Sequence, residues 1–267
     1  MILSEHSDLK LGHGTHPGET GKQNEDSYSV QAFCSEAGGE IVTLGVIADG
    51  VGGNRAGEVA SALAVKTIVE AVGRSQERDC QRVLELALIQ AAYVVAEASQ
   101  KPDYYGMGTT CAAALVANRR LYTAYLGDSR LYLIHNRMIR QTSVDHTWIQ
   151  EAIELGIITR VEAKNHPNQH VVRRHLGRDP DVKPDFRLRL YDTETPEQAQ
   201  KNQGFLLEPG DMVLLCSDGL SDLVEPEEML DRLLQHDPQA AVDGLILLAR
   251  ARGGHDNITV IVMQAPD

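Results

Sequence analysis

Aromatic side chains are scarce in this 267-residue chain, at 4% of the total with a single tryptophan. A core must therefore be built from Val, Leu, Ile and Ala, and the chain is long enough to bury one without covalent staples. Cysteine is scarce too. Cys34, Cys80, Cys111 and Cys216 lie far apart and form no C-x-x-C pair. That argues against a disulfide framework or a zinc site, and reduced, mostly buried thiols in a cytosolic protein are expected. Basic residues number 25 against 38 acidic, for a formal charge of −13. A nucleic-acid partner needs a basic face, so that class is disfavoured. The N-terminus lacks the apolar segment of a signal peptide, and no run approaches the roughly 18 apolar residues of a membrane span. No fixed-period repeat, low-complexity tract or linker divides the sequence. The expectation is one unit over residues 1–267, cytoplasmic and monomeric, with no membrane partner.

What is present is organised around Val46–Glu58, VIADGVGGNRAGE. An apolar run ends in Asp49, followed by Gly50, Gly52 and Gly53 and then a helix pattern from near Arg55. A carboxylate at a strand end before a glycine-rich bend suits a metal or phosphate site. It equally suits a plain strand-to-helix turn. The surroundings decide. Residues 1–25 read as a strand remnant and loop, with Glu25 and Asp26 opening a strand at Ser27–Val30. A turn over Glu36–Glu40 and a strand at Ile41–Ala48 complete a hairpin. Simple register would bring Glu25 and Asp26 beside Asp49. Three such carboxylates raise one another's pKa, and a divalent cation relieves that penalty.

Apolar residues from Val59 to Val72, and again from Val83 to Ala98, fall at helical spacing and predict two helices paired against a sheet. Strands at Thr109–Ala117, Leu121–Leu126, Leu131–Ile134 and Met138–Gln141 read as an antiparallel meander, with Asp128 in one turn. Asp145 and His146 read as the cap of a helix running to Leu155. Thr159 and Glu162 read as the capping box of another. The polar, basic stretch Asn165–Arg174 interrupts the strands, and residues from approximately 145 to 180 read as a surface flap. Its cations either meet a phosphate or face solvent. Phe186–Tyr191 alternates as a strand, and 192–203 reads as a loop or loosely held helix. Met212–Cys216 is an apolar strand that runs out into Asp218-Gly219. Helices around 226–234 and 239–250 follow, then Asp256-Asn257 and a closing strand at Ile258–Met263. The simplest architecture is α+β: a β-sandwich of two antiparallel sheets flanked on both faces by α-helices, four layers in the order αββα.

Asp49, Asp128, Asp218, Asp256 and the Glu25-Asp26 pair thus share one context, at strand ends or beside glycines. Few basic residues adjoin them. All-oxygen donor sets suit Mg²⁺ or Mn²⁺, and paired ions held by carboxylates serve phosphoryl hydrolysis.

Seven motifs stand in order along the chain. They are NED at 24–26, ADGVGG at 48–53 with GE at 57–58, GTT at 108–110, GDSR at 127–130, DH at 145–146, SDGL at 217–220 and GGHDNIT at 253–259. In this the sequence resembles the metal-dependent protein Ser/Thr phosphatases of type 2C, in their compact bacterial form. The resemblance implies a β-sandwich flanked by helices and hydrolysis of phosphoserine and phosphothreonine in phosphoproteins, substrates of a Ser/Thr kinase. It implies two Mn²⁺ or Mg²⁺ ions, with a third, weaker site. By position, Asp49 bridges two ions, Gly50 lends a backbone carbonyl to one, and Asp218 and Asp256 ligate the other. Glu25 and Asp26 hold metal waters, Asp26 also orienting the nucleophile. Asp128 with Asp218 forms the third site, and Asn257 orients Asp256. Thr109 and Thr110 are structural supports. The implied step is in-line attack by a metal-bridging water or hydroxide, without a phosphoenzyme.

Two departures stand out. Family members carry an arginine that grips the phosphate three residues before the Asn of NED, and here that position is Gly21. Lys22 can substitute as a point charge without the bidentate fork, with Arg173 or Arg174 as remoter candidates. Val51 stands where some eukaryotic members have a general-acid His. His16 is the nearest imidazole in sequence, and water can supply the leaving-group proton instead. The alternative reading is a catalytically weak relative that binds phosphoprotein as a regulator. A two-metal nuclease is disfavoured by the acidic surface.

Overall fold

Alternation along apolar runs sorts this chain into layers. The computed structural model describes residues 1–34, 39–51, 56–163 and 166–266. The first strands are β1 (Ile2–Ser4), β2 (Lys10–His16), β3 (Ser27–Cys34) and β4 (Ile41–Ala48). The helices α1 (Gly57–Arg74) and α2 (Cys80–Ala98) follow. Next come β5 (Cys111–Ala117), β6 (Arg120–Leu126), β7 (Arg130–His135) and β8 (Met138–Gln141). Short helices α3 (Trp148–Glu154), α4 (Arg160–Ala163) and α5 (Pro196–Lys201) lead to β9 (Phe205–Leu206) and β10 (Met212–Cys216). The chain closes with α6 (Asp218–Ser221), α7 (Pro226–Gln235), α8 (Pro238–Ala251) and β11 (Ile258–Gln264).

Two antiparallel sheets result, ordered β1-β3-β4-β5-β6-β9 and β2-β11-β10-β7-β8. Their central strands are buried on both faces, so they read as continuous apolar runs, yet each still divides its side chains by parity. In β5, Cys111, Ala113 and Leu115 join the core under α1 and α2, while Ala112, Ala114 and Val116 enter the core between the sheets. In β11, Ile261 and Met263 face that inter-sheet core, while Val260 and Val262 face the core under α7 and α8. Three apolar layers between four layers of secondary structure give the expected αββα sandwich. Among the described residues no helix is long and apolar enough to cross a membrane. All four cysteines are free, with Cys111 and Cys216 buried.

Four expectations need correction. The segment 10–16, expected as loop, is an edge strand paired with β11, Ile258 opposite His16. Its glycines hid it: α8 packs so closely on β2 that a Cβ at Gly12 would collide with the Pro238 carbonyl group. The meander is broken after β6, because β6 belongs to one sheet and β7 to the other. The Gly127–Ser129 link is therefore a crossover between sheets, which no local pattern reveals. Phe186–Tyr191 joins no sheet. Its backbone bonds are taken elsewhere, Leu188 N–H to the Ala199 carbonyl and Arg189 N–H to the Thr142 carbonyl, both 3.0 Å. Finally, α3 is capped by Thr147, whose hydroxyl accepts from Gln150 N–H, and not by Asp145 or His146. The Thr159/Glu162 capping box is present, Glu162 accepting from Thr159 N–H at 2.8 Å. The turn expected over 36–40 and the glycine pair at 52–53 fall largely outside the described residues.

Helix α2 offers a local test of this frame. Asp79 caps it by accepting from Gln81 N–H at 3.0 Å and Arg82 N–H at 3.4 Å. Asp79→Ala should cost about 1 kcal/mol, read as a lower denaturation midpoint with unchanged slope.

Candidate metal centre

One end of the sandwich collects the strand termini that carry carboxylates. Register does the first part: β3 pairs β4 with Ser27 opposite Ala48, so Asp26 and Asp49, one residue beyond each, end up side by side. In the second sheet, Cys216 pairs with Val260, which sets Asp218 and Asp256 at the same end. Asp128 sits in the crossover between sheets. Asp49, Asp128, Asp218 and Asp256 line one cavity of about 540 Å³ with Glu25, Gly50, Lys22 and Asn257. The sequence-derived residues thus converge, and Asp26 is buried beside them at 8% exposure.

The backbone of this cradle is held by hydroxyls. Thr110 N–H donates to the Asp49 carbonyl at 2.8 Å, and the Thr110 hydroxyl accepts from Asp49 N–H at 3.0 Å. The Thr109 hydroxyl donates to the same Asp49 carbonyl at 2.8 Å. Both threonines are the structural supports expected of them. Gly50 N–H donates to the Glu25 carbonyl at 3.2 Å, tying the two acidic loops. A Cβ at Gly50 would lie 2.6 Å from the Gly57 carbonyl carbon, so only glycine lets the chain pass here.

Asp26 is fixed on one side only. Its Oδ2 accepts from the Ser217 hydroxyl at 2.8 Å and the Thr259 hydroxyl at 2.6 Å. Its Oδ1 is buried with no hydrogen-bond partner. A buried carboxylate oxygen without a donor is costly, and a cation or a water held by one would satisfy this acceptor-only atom. Ser217 and Thr259 are functional supports that the sequence reading did not single out. Their signal was position within the motifs at 217–220 and 253–259, Ser217 next to Asp218 and Thr259 three residues after Asp256.

Charge in the cavity points the same way. Burial, then the charges of Asp26, Asp218, Asp128 and Asp256, hold the Asp49 carboxyl well above its ordinary range. Burial lifts Asp26 to about 7 against the opposing pull of the Thr259 and Ser217 hydroxyls. Asp128 rises to about 8 through burial and then Asp218 and Asp145. Asp218 rises to about 6 through burial and then Asp222 and Asp256. Glu25 is raised by burial and then by Glu58 and Asp256. Arg130, two residues from Asp128, is committed elsewhere: its Nε and Nη2 form a fork on Asp145, with Nη2–Oδ2 at 2.7 Å. An all-carboxylate, hydroxyl-supported basin with an orphaned oxygen fits hard divalent cations.

Other assignments shift. The Asn257 side chain does not orient Asp256. Its Oδ1 accepts from Glu25 N–H at 2.7 Å, and its Nδ2 donates to the Pro17 carbonyl at 3.1 Å, so it braces the Glu25 loop. Only its backbone N–H reaches Asp256. His146 instead holds the crossover that carries Asp128: its Nδ1 accepts from Gly127 N–H at 3.1 Å, and its own N–H donates to the Gly127 carbonyl. That fixes the Nε2–H tautomer, which faces Asp185 at 3.0 Å.

The phosphate-grip candidates separate clearly. Lys22 lines the cavity, as do His170 and His255. Arg173 and Arg174 do not: Arg173 pairs with Glu151 at 3.4 Å, and Arg174 contacts His146 and donates to the Lys183 carbonyl. His16 turns away to accept from Gly18 N–H. At Gly21 the backbone is left-handed, with φ of 72° and open space around it. An arginine would be strained on this path. Two residues outside the expected set, His170 and Asp222, bring ligand atoms within 4.8 Å of each other and of Asp218.

Comparison with known proteins agrees with this geometry. Residues 13–241 match the family model described as Protein phosphatase 2C. The chain is 34% identical to the serine/threonine phosphatase stp of Listeria welshimeri, over 94% of this chain and 93% of that protein. It is 35% identical over 86% of its length to the serine/threonine protein phosphatase PstP of Mycobacterium tuberculosis, of which it spans 41%. The crystal structure of PstP superposes with a TM-score of 0.80 at 32% identity, covering 97% of this chain and 99% of that one. A second structure, the PstP catalytic domain in complex with two manganese ions, gives a TM-score of 0.76 at 32% identity, covering 97% of this chain and 100% of that one.

The raised carboxyls carry a stability signature. Below the ordinary carboxylate range, about pH 4, they are protonated in folded and unfolded chains alike. Between there and the folded values of about 6 to 8, the folded state keeps protons that the unfolded state has released. Raising pH through that window therefore removes stability from the metal-free protein. Thermal unfolding in chelator should show a lower Tm at about pH 8 than at about pH 5, and Mn²⁺ should restore more at the higher pH.

Proposed function

Since the chain belongs to the protein phosphatase 2C family, we propose how its own residues carry out the hydrolysis that defines the enzyme. The protein is a serine/threonine phosphatase, acting on phosphoserine and phosphothreonine in phosphoproteins with a manganese or magnesium centre. Asp49 is the shared ligand of two ions, Gly50 contributes its carbonyl, and Asp218 and Asp256 complete the second position. Glu25 stands beside them. Bound ions supply Lewis acidity, lowering the pKa of water and neutralising phosphate charge. The chain supplies orientation. Asp26 is locked at Oδ2 by Ser217 and Thr259, and its free Oδ1 takes the role of orienting the attacking water. That asymmetry is the observation that carries the assignment. No side chain becomes phosphorylated, and water returns the proton to the leaving serine or threonine oxygen.

A third, weaker site forms from Asp128 and Asp218, with His170 and Asp222 adjoining. An imidazole donor favours Mn²⁺ over Mg²⁺ there. Lys22 is the proposed phosphate clamp, in place of the arginine that Gly21 excludes. Residues 145–180 form the flap over the cavity, and 1–267 work as one catalytic domain. The substrates are those of a Ser/Thr kinase. The enzyme acts as a cytoplasmic monomer, a reading that its four free cysteines suit. A non-catalytic phosphoprotein binder has no supporting feature beyond Gly21, since every carboxylate of the basin is in place.

The reading is tested with p-nitrophenyl phosphate and a phosphothreonine peptide. Turnover should require Mn²⁺ and vanish in EDTA. Asp49→Asn should lose about 3 kcal/mol of transition-state stabilisation, roughly a hundredfold in rate, with weaker metal binding by calorimetry. Full activity in that variant would exclude the assigned centre. Ser217→Ala, which frees Asp26, should cost about 10- to 100-fold in kcat or metal affinity. Lys22→Ala should raise KM severalfold with kcat little changed, and an unmoved KM would remove Lys22 from the clamp.

A further inference from the structure

The catalytic basin is acidic and the chain carries a formal charge of −13, so an anionic substrate meets repulsion over most of this protein. A more basic surface adjoins the basin. A second cavity of about 620 Å³ is lined by Arg173, Arg174, His175 and Arg178, with Asp179 its one carboxylate. Val172 lines both cavities, so the two share a wall. The wall is held in place: Arg173 N–H donates to the His146 carbonyl at 2.7 Å, and Trp148 N–H donates to the Val171 carbonyl at 2.9 Å.

The cations here differ in availability. Arg174 is structural, spanning His146 and the Lys183 carbonyl beside the buried Asp185. Arg173 makes a long 3.4 Å pair with Glu151, both side chains about half exposed, which is a weak and exchangeable contact. Arg178 is exposed and makes no ion pair among the described residues. Asp179 is occupied in accepting from Asp181 N–H at 2.9 Å. Two planar guanidinium groups are therefore free to meet an oxyanion, the geometry that binds carboxylate or phosphoryl oxygens in a fork.

We propose that this flap cavity is a subsite for a second anionic side chain of the substrate, an acidic or phosphorylated residue flanking the phosphoresidue held in the basin. The inference rests on the phosphatase reading and adds a substrate class to it: phosphopeptides with a flanking negative charge. A segment laid across Val172 places one anion over the metals and the next against Arg173 and Arg178. The subsite also offsets the field of the basin. Substrate capture then becomes sensitive to salt, while the chemistry at phosphorus does not change.

The experiment uses the full chain with Mn²⁺ and three phosphothreonine peptides. One carries alanine flanks, one carries aspartate at successive positions on either side, and one carries a second phosphothreonine there. The wild type should prefer the anionic peptides by about tenfold in kcat/KM, expressed in KM and reduced at raised ionic strength. Arg173→Ala with Arg178→Ala should erase the preference and leave turnover of p-nitrophenyl phosphate unchanged, which also certifies the fold. Arg178→Glu should turn the preference toward the alanine-flanked peptide. A gain confined to the doubly phosphorylated peptide identifies a phosphoryl subsite, and a gain shared with aspartate identifies a general anion subsite. Equal KM for all peptides, or a preference that survives the double substitution, would overturn the proposal. Loss of p-nitrophenyl phosphate turnover in the wild type would instead strike the catalytic reading, so the two failures are distinguishable.

Discussion

Mutual repulsion among carboxylates at one end of a β-sandwich is the constraint on which this structure turns. Burial first, and then the charge of neighbouring carboxylates, raises the proton affinity of Asp26, Asp49, Asp128 and Asp218. The guanidinium closest in sequence, Arg130, is forked onto Asp145 and so removed from the basin. A protein that spends its adjacent arginine in this way keeps its acidic site unpaired, and an unpaired basin of oxygen donors is what divalent cations require.

The surrounding frame works by fixing backbone and leaving ligand oxygens free. Thr109 and Thr110 seize the main chain of Asp49 and leave its carboxylate to the cavity. Asn257 does the same for Glu25. His146, neutral because burial depresses its pKa, does so for the crossover that presents Asp128. Asp26 is held directly by two hydroxyls, and only at one oxygen. The division is economical: hydrogen bonds to neutral hydroxyls and amides position charged groups without neutralising them.

The segment 171–178 gathers Arg173, Arg174, His175 and Arg178 beside the acidic basin. Its basic residues are not one cluster with one purpose. Arg174 and Arg187 neutralise the buried Asp185, which hydrogen bonds from His146 and Arg187 pull below the usual carboxylate range despite its burial. Arg173 and Arg178 face outward. One half anchors the segment beside the Asp128 crossover, and the other half stays exposed.

Composition and local pattern determined much of this protein. The parity of apolar runs yielded most strands and the paired helices, because burial on two faces leaves a mark in every residue of a short segment. Seven motifs in order named the family and marked the carboxylates that the fold gathers around one cavity. Tertiary structure decided the rest. The edge strand at 10–16 was illegible because close packing on α8 demanded glycine where a strand pattern needs apolar side chains. The crossover at Gly127–Ser129 looked like one more hairpin turn, because sheet membership is set by partners far away in the chain. Asp145 and His146 looked like a helix cap, a local role, while their actual partners are Arg130 and Gly127. Lys22 and Gly21 were visible as a departure, but only the structure shows the left-handed backbone at Gly21, a path on which an arginine would be strained. Spacing can announce which residues carry chemistry. Which of them are paired, braced or left free depends on contacts between segments that no single stretch contains.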